Sequence, residues 1–170
     1  DEYLELMAVA VQSLPYKTDG LLTAPKFPIE TYVDGQGDCD DKSLLLAGLL
    51  AREGYVVALF YFKPENHMAV GVKGYRCEYR DTGYGYLATT NVSLVGVPEE
   101  RLEGGVNLTS APLIIPVANG TRLYGKCQES MAIQEALERS GGNVVIAAKT
   151  LGISQATLYR RIRQMKVSEA

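Results

Sequence analysis

Cys39 and His67 are the residues of this chain whose types could carry nucleophilic chemistry. Asp38 stands just ahead of an apolar run that begins at Cys39, so its carboxylate can cap a helix whose positive end would hold the cysteine sulfur. That location lowers a thiol's pKa and favours the thiolate, which is the reactive form. His67 is the single histidine of the chain and opens an apolar run after a loop containing Pro64. If that run is a strand packed on the helix, the imidazole can serve as general base toward Cys39, and attack on an amide or acyl carbon would give a thioester. The backbone N–H of Cys39 and the side chain of Gln36 are the candidate oxyanion donors. Each has a plainer reading: a small core cysteine, a structural histidine, a polar loop glutamine. Asp38, Asp40 and Asp41 also surround the thiol with negative charge, which opposes its ionisation. As a calcium loop starting at Asp34 the segment fails, because Cys39 falls where glycine is required and Leu45 where glutamate is required. No metal or cofactor is expected.

These residues need elements to hold them. Leu4, Met7, Ala8, Val11 and Leu14 recur at helical spacing before Pro15, which predicts an amphipathic first helix. A loop rich in Thr, Pro and Gly follows. The run from Cys39 to Glu53 carries Leu44, Leu45, Leu46, Ala47, Leu49 and Leu50 and ends at Gly54, which predicts a central helix buried on most sides. Residues 55–62, 67–72 and 84–90 read as strands of an antiparallel sheet, with 113–117 as an edge strand. The expected boundaries are a domain at 1–118, a linker at 119–128 and a small helical domain at 129–170.

That last segment reads as three helices. Met131, Ile133, Ala136 and Leu137 give the first an apolar face, Gly141-Gly142 stops it, and Asn143 can cap the next. Gly152 supplies a tight turn, and Ser154 can cap a third helix in which Leu158 and Ile162 face inward. The pattern is that of a helix-turn-helix. In such a motif the first residues of the third helix meet base edges and basic residues hold phosphates, which suits Gln155 and Thr157 to the first role and Arg160, Arg161 and Arg163 to the second.

Charge separates the two parts. The net charge of −3 divides into +3 for residues 131–170 and −6 for the remainder, so the two parts meet different partners. The three cysteines have neither C-x-x-C spacing nor an even count, which fits a reducing compartment. No run of about 18 apolar residues occurs, so no membrane-spanning helix is expected and the expected location is the cytoplasm.

Two resemblances extend this reading. GGNVVIAAKTLGISQATLYRRIRQMKV resembles the C-terminal DNA-binding domain of the Fis family, which also closes many bacterial enhancer-binding activators. The resemblance implies a homodimer on double-stranded DNA, with contacts at Asn143, Gln155, Thr157, Arg160 and Arg161. FPIETYVDGQGDCDDKSLLLAGLLAREGY, then NHMAVGV and YGYLATT, resembles the transglutaminase-like cysteine peptidase superfamily over roughly residues 1–115. This implies an α+β, papain-like core with Cys39 opening the central helix, His67 on a following strand, and a peptide or amide substrate. It also implies an acid where this chain has Ala88, in Ala88-Thr89-Thr90, which leaves Thr89 or Asp81 as candidates to orient the imidazole. Two functions follow: a cysteine peptidase or amidase fused to a DNA-binding tail, or a regulator whose transglutaminase-like domain is a catalytically degenerate binding module.

Overall fold

The computed structural model describes residues 2–18, 24–74, 78–120, 133 and 136–167. The chain divides into two compact units, Asp1–Lys126 and Cys127–Ala170.

In the first unit, helices α1 (Glu2–Gln12), α2 (Pro28–Asp34) and α3 (Cys39–Arg52) precede strands β1 (Val56–Phe62), β2 (His67–Val72), β3 (Gly85–Leu87) and β4 (Leu113–Asn119). The strands form one antiparallel sheet in the order β3-β2-β1-β4. β1 is apolar at every position because both faces of the sheet are covered. On one face Phe60, Ala69 and Tyr86 join Phe62, Tyr79, Ala88, Leu102 and Leu108 in an aromatic-rich cluster. The alternate residues Val57, Leu59, Val70, Val72 and Leu87 are buried on the other face, where α3 packs across β1 and β2 with Leu46 and Leu50 fully buried. A glycine is required at 71, since a Cβ there would lie 2.6 Å from Cε1 of Phe60.

The expected helices at 2–14 and 39–53 and the four expected strands are present, with two differences. β3 is confined to Gly85–Leu87, and the chain leaves the sheet where strand had been expected to continue to 90. The segment expected to be a loop between the first two helices contains α2, a single short helix with Pro28 at its start, the Glu30 carboxylate accepting the Phe27 N–H at 2.8 Å, and Gly35 left-handed at its end. Its periodicity is faint because Thr31 is its one buried residue.

α1 is fastened to α3 by a buried amine. Lys42 is fully buried, and its Nζ donates to the carbonyls of Gln12 at 3.1 Å and Leu14 at 2.9 Å, closing the C-terminal end of α1. The Gln12 side chain in turn donates to the carbonyls of Ala88 at 2.9 Å and Ser93 at 3.2 Å, which ties the same helix end to the loop after β3.

In the second unit, residues 136–139 are helical and helices Val144–Thr150 and Gln155–Val167 follow. Asn143 caps the first of these through Val145 N–H at 3.0 Å and Ile146 N–H at 3.3 Å. Gly152, at φ 67°, makes the turn, and the Ser154 hydroxyl accepts Thr157 N–H at 3.1 Å. Ile133, Ala136, Ala147, Ala148 and Leu158 form the core. The expected linker at 119–128 falls, from residue 121 onward, outside the described residues, as do Cys77 and Cys127. No helix among the described residues is long and apolar enough to cross a membrane.

Candidate active site and nucleic-acid interface

The start of α3 is built by short-range bonds. Asp38 is extended and caps the helix by accepting Asp41 N–H at 3.3 Å. Just before it, Gly37 pairs with the segment after α1: Lys17 N–H donates to the Gly37 carbonyl at 3.1 Å and Gly37 N–H to the Pro15 carbonyl at 3.2 Å. A side chain at 37 would collide with Asp41, whose Cβ lies 2.7 Å from the place a Cβ would occupy. Cys39 follows, half-buried and unbridged. Its Sγ lies 4.0 Å from the Asn66 carbonyl and receives hydrogen bonds from the Met68 N–H and the Tyr16 hydroxyl. The sulfur therefore rests against the backbone on both sides of His67.

Burial pushes the Cys39 thiol up to about 11, with Asp40 and Asp38 adding to the rise and the Met68 and Tyr16 donors opposing it. The expectation of a lowered thiol pKa at this helix start is thereby corrected. Loss of hydration and two adjacent carboxylates outweigh the helix end. Near neutral pH the protonated thiol is therefore the resting form.

His67 is buried at the mouth of the β1–β2 turn, its ring stacked on Phe62 at 5.9 Å between centroids. Its Nε2 is 3.3 Å from Glu99 Oε2 and 3.3 Å from the Tyr86 hydroxyl. Tyr86 also donates to Glu99 Oε2, at 3.2 Å. The other carboxylate oxygen accepts from the Thr90 hydroxyl and, at 3.1 Å, from Asn91 Nδ2. Both the His67 and Glu99 side chains are 5% exposed. Burial works against the Glu99 charge, but hydrogen bonds from His67, Thr90 and Asn91, with the attraction of His67, hold its carboxyl below the usual range. Tyr86 is pushed well above the usual phenol range by burial and by Glu99, so it stays a protonated donor.

The carboxylate beside His67 is thus Glu99, and the expectation of Asp81 or Thr89 in that place is corrected. Asp81 lies exposed in a turn. Thr89 is buried but serves the helix: its hydroxyl pairs with Ser43 Oγ at 2.9 Å and donates to the Cys39 carbonyl at 3.5 Å. Ala88 belongs to the aromatic cluster. Glu99 lies in the loop that returns after β3, where no periodicity marks it, and the charged pair Glu99-Glu100 after Pro98 is the one local sign. Gln36 is half-buried in the loop ahead of the cysteine. Tyr16 and Tyr86, beside Cys39 and His67 respectively, carried no signal in the spacing of residues.

The carboxylates of Asp38, Asp40 and Asp41 lie within 4.8 Å of one another. Asp38 is engaged as the cap, and Asp41 accepts Lys26 N–H at 2.7 Å and pairs with Lys26 Nζ at 3.7 Å. These bonds tie Asp38 and Asp41 to the helix start.

On the helix Gln155–Val167, Gln155, Ala156, Tyr159, Arg160 and Arg163 are exposed and share one face. Thr157 and Arg161 are each 7% exposed and lie on the inner side with Leu158. The helical period turns inward these two residues, which the sequence reading offers to DNA. A core at Leu158 takes the positions beside it inward, and Thr157 is further held by Ser154 at 2.8 Å. Asn143 spends its side-chain oxygen on capping, at the exposed start of its helix.

Residues 128–165 match the family described as Bacterial regulatory protein, Fis family. The C-terminal unit is a Fis-type helix-turn-helix, a DNA-binding fold. Among solved structures the chain is similar to calcium-bound LapG of Legionella pneumophila, at 18% identity over 75% of this chain and 76% of that one, with a TM-score of 0.42. A second structure of Legionella pneumophila LapG gives 19% identity, coverage of 81% and 76%, and a TM-score of 0.42. The EGTA-treated form gives 20%, 67% and 59%, with a TM-score of 0.39. No curated protein matches the chain in sequence.

Proposed function

We propose that the first unit is a transglutaminase-like cysteine peptidase or amidase in which Cys39 is the nucleophile, His67 the base and Glu99 the group that orients the base, and that the tail places it on double-stranded DNA as a homodimer. The observation that carries this reading is the buried His67–Glu99 pair at 3.3 Å. A carboxylate on Nε2 fixes the ring and its tautomer and leaves Nδ1 for the thiol. Because the thiol rests protonated, its proton leaves as the attack occurs. The S–H bond breaks toward His67 Nδ1, the S–C bond forms, and the carbonyl π pair moves onto oxygen. Collapse then breaks the C–N bond as the amine takes the proton from His67. Water attacks the thioester, passing a proton to His67 and releasing the acid and the thiol.

The linker at 119–128 joins the two activities in this reading, and binding to DNA places the chain in the cytoplasm. The competing reading is a binding module that holds a peptide without cleaving it, and the thiol at about 11 favours it. Incubation with p-nitrophenyl acetate followed by intact-mass and peptide analysis separates the two. The hydrolase reading expects an acetyl group on Cys39 that turns over, is lost in Cys39→Ala and requires His67, while DNA binding stays unchanged. A wild-type Cys39 acylated no faster than in His67→Ala would sink it.

A further inference from the structure

The nucleophile has a phenol of its own. α1 ends in the grip of Lys42, a residue of α3, and two residues past Leu14 the chain reaches Tyr16 in its bridge to Gly37. The segment bearing Tyr16 is therefore fastened to the start of α3 on both sides of Cys39, by Gly37 before it and Lys42 after it. Gly37 itself sits close against α3, where a Cβ would lie 2.7 Å from Cβ of Asp41. Held this way, the Tyr16 hydroxyl donates to Cys39 Sγ. The sulfur has a second donor, Met68 N–H, but that group belongs to β2 and its direction is set by the strand. A phenol hangs on rotatable bonds and can turn through a small angle.

We infer that Tyr16 is a catalytic residue, the hydrogen-bond donor that stabilises negative charge first on the Cys39 sulfur and then on the substrate oxygen two bonds away. This rests on the hydrolase reading for its second half alone; the first half is a property of the thiol. Charge appears beside Cys39 at every step of acylation, in surroundings that already hold Asp38 and Asp40 and that burial partly desolvates. The phenol keeps its proton throughout, so the balance of the reaction is unchanged.

The test is the rate of Cys39 carbamidomethylation by iodoacetamide near neutral pH, read by peptide mass spectrometry in the full chain. Tyr16→Phe and Tyr16→Leu both delete the hydroxyl, and His67→Ala is run beside them. The expected result is a loss of about tenfold in the alkylation rate in the Tyr16 variants, with a loss of about a hundredfold in acylation by p-nitrophenyl acetate. Wild-type alkylation rates in the Tyr16 variants would overturn the inference. A rate that falls with His67→Ala but not with loss of the hydroxyl overturns it while leaving the hydrolase reading standing. A rate that falls with the hydroxyl but not with His67→Ala upholds the donor and removes the hydrolase reading.

Discussion

The Cys39 site draws each of its groups from a different element, whereas the exposed polar surface of the tail's last helix comes from one face of that helix. Cys39 opens α3, His67 opens β2, Tyr86 lies in β3, and Glu99 arrives on the long loop beyond it. Gln155, Tyr159, Arg160 and Arg163 follow from the period of a single helix. In the first region, the arrangement depends on bringing together residues far apart in the chain, and burial and hydrogen bonds together shift Cys39, Tyr86 and Glu99. In the second, it depends on which side of one cylinder faces water.

This contrast can be broken most severely at Glu99. Glu99→Gln keeps the shape of the side chain but removes the charge facing His67, and should lower acylation of Cys39 by about a hundredfold or more. The acetylation rate measured by intact mass checks it, and a rate equal to wild type would mean that the loop only packs. DNA binding should not change.

Within the tail the contrast is between two adjacent arginines. Arg160→Ala should weaken duplex binding about tenfold and make its salt dependence shallower by about one unit of slope, with the melting temperature kept. Arg161→Ala should instead lower the melting temperature, because that side chain is 7% exposed and sits among the inward-facing residues. Fluorescence anisotropy at several salt concentrations, paired with thermal melts, distinguishes them. The opposite assignment of losses would show that the helix presents its other face.

The smallest expected effect lies on the acid side of the stability curve. The Ser110 hydroxyl, with the N–H groups of Ser110 and Thr109, lowers the Glu65 carboxyl from 4.5 to about 2, and Glu99 is lowered as well. For both groups the unfolded chain takes up its proton first as pH falls. Their stabilisation is therefore complete above the ordinary carboxylate value and lost as pH drops through the folded one, for Glu65 between 4.5 and about 2. Glu65→Gln should flatten the fall in urea midpoint across that window, and an unchanged slope would remove Glu65 from the account.

Local chemistry was legible wherever a residue's neighbours in the chain define its surroundings. Asp38 before an apolar run marked the cap of α3, and Asn143, Gly152 and Ser154 marked the turns of the tail, because capping and left-handed turns use bonds among residues a few positions apart. Val70 and Phe60 announced strands for the same reason, their alternation or runs being set by the faces that cover them. The split of charge between the two parts was likewise plain.

Tertiary structure decided what burial and distant contacts decide. The thiol of Cys39 rises instead of falling because packed elements partly desolvate it beside Asp40 and Asp38. The carboxylate for His67 comes from Glu99, since a loop constrained at its ends is free in sequence but fixed in space by Thr90, Asn91 and Tyr86. Thr157 and Arg161 turned inward because Leu158 had a core to enter. The sequence by itself determined which short segments form helices, strands and caps, whose energies are local. Only the packed chain determined which charges are tolerated and which polar groups meet, because those energies depend on what surrounds each group in three dimensions.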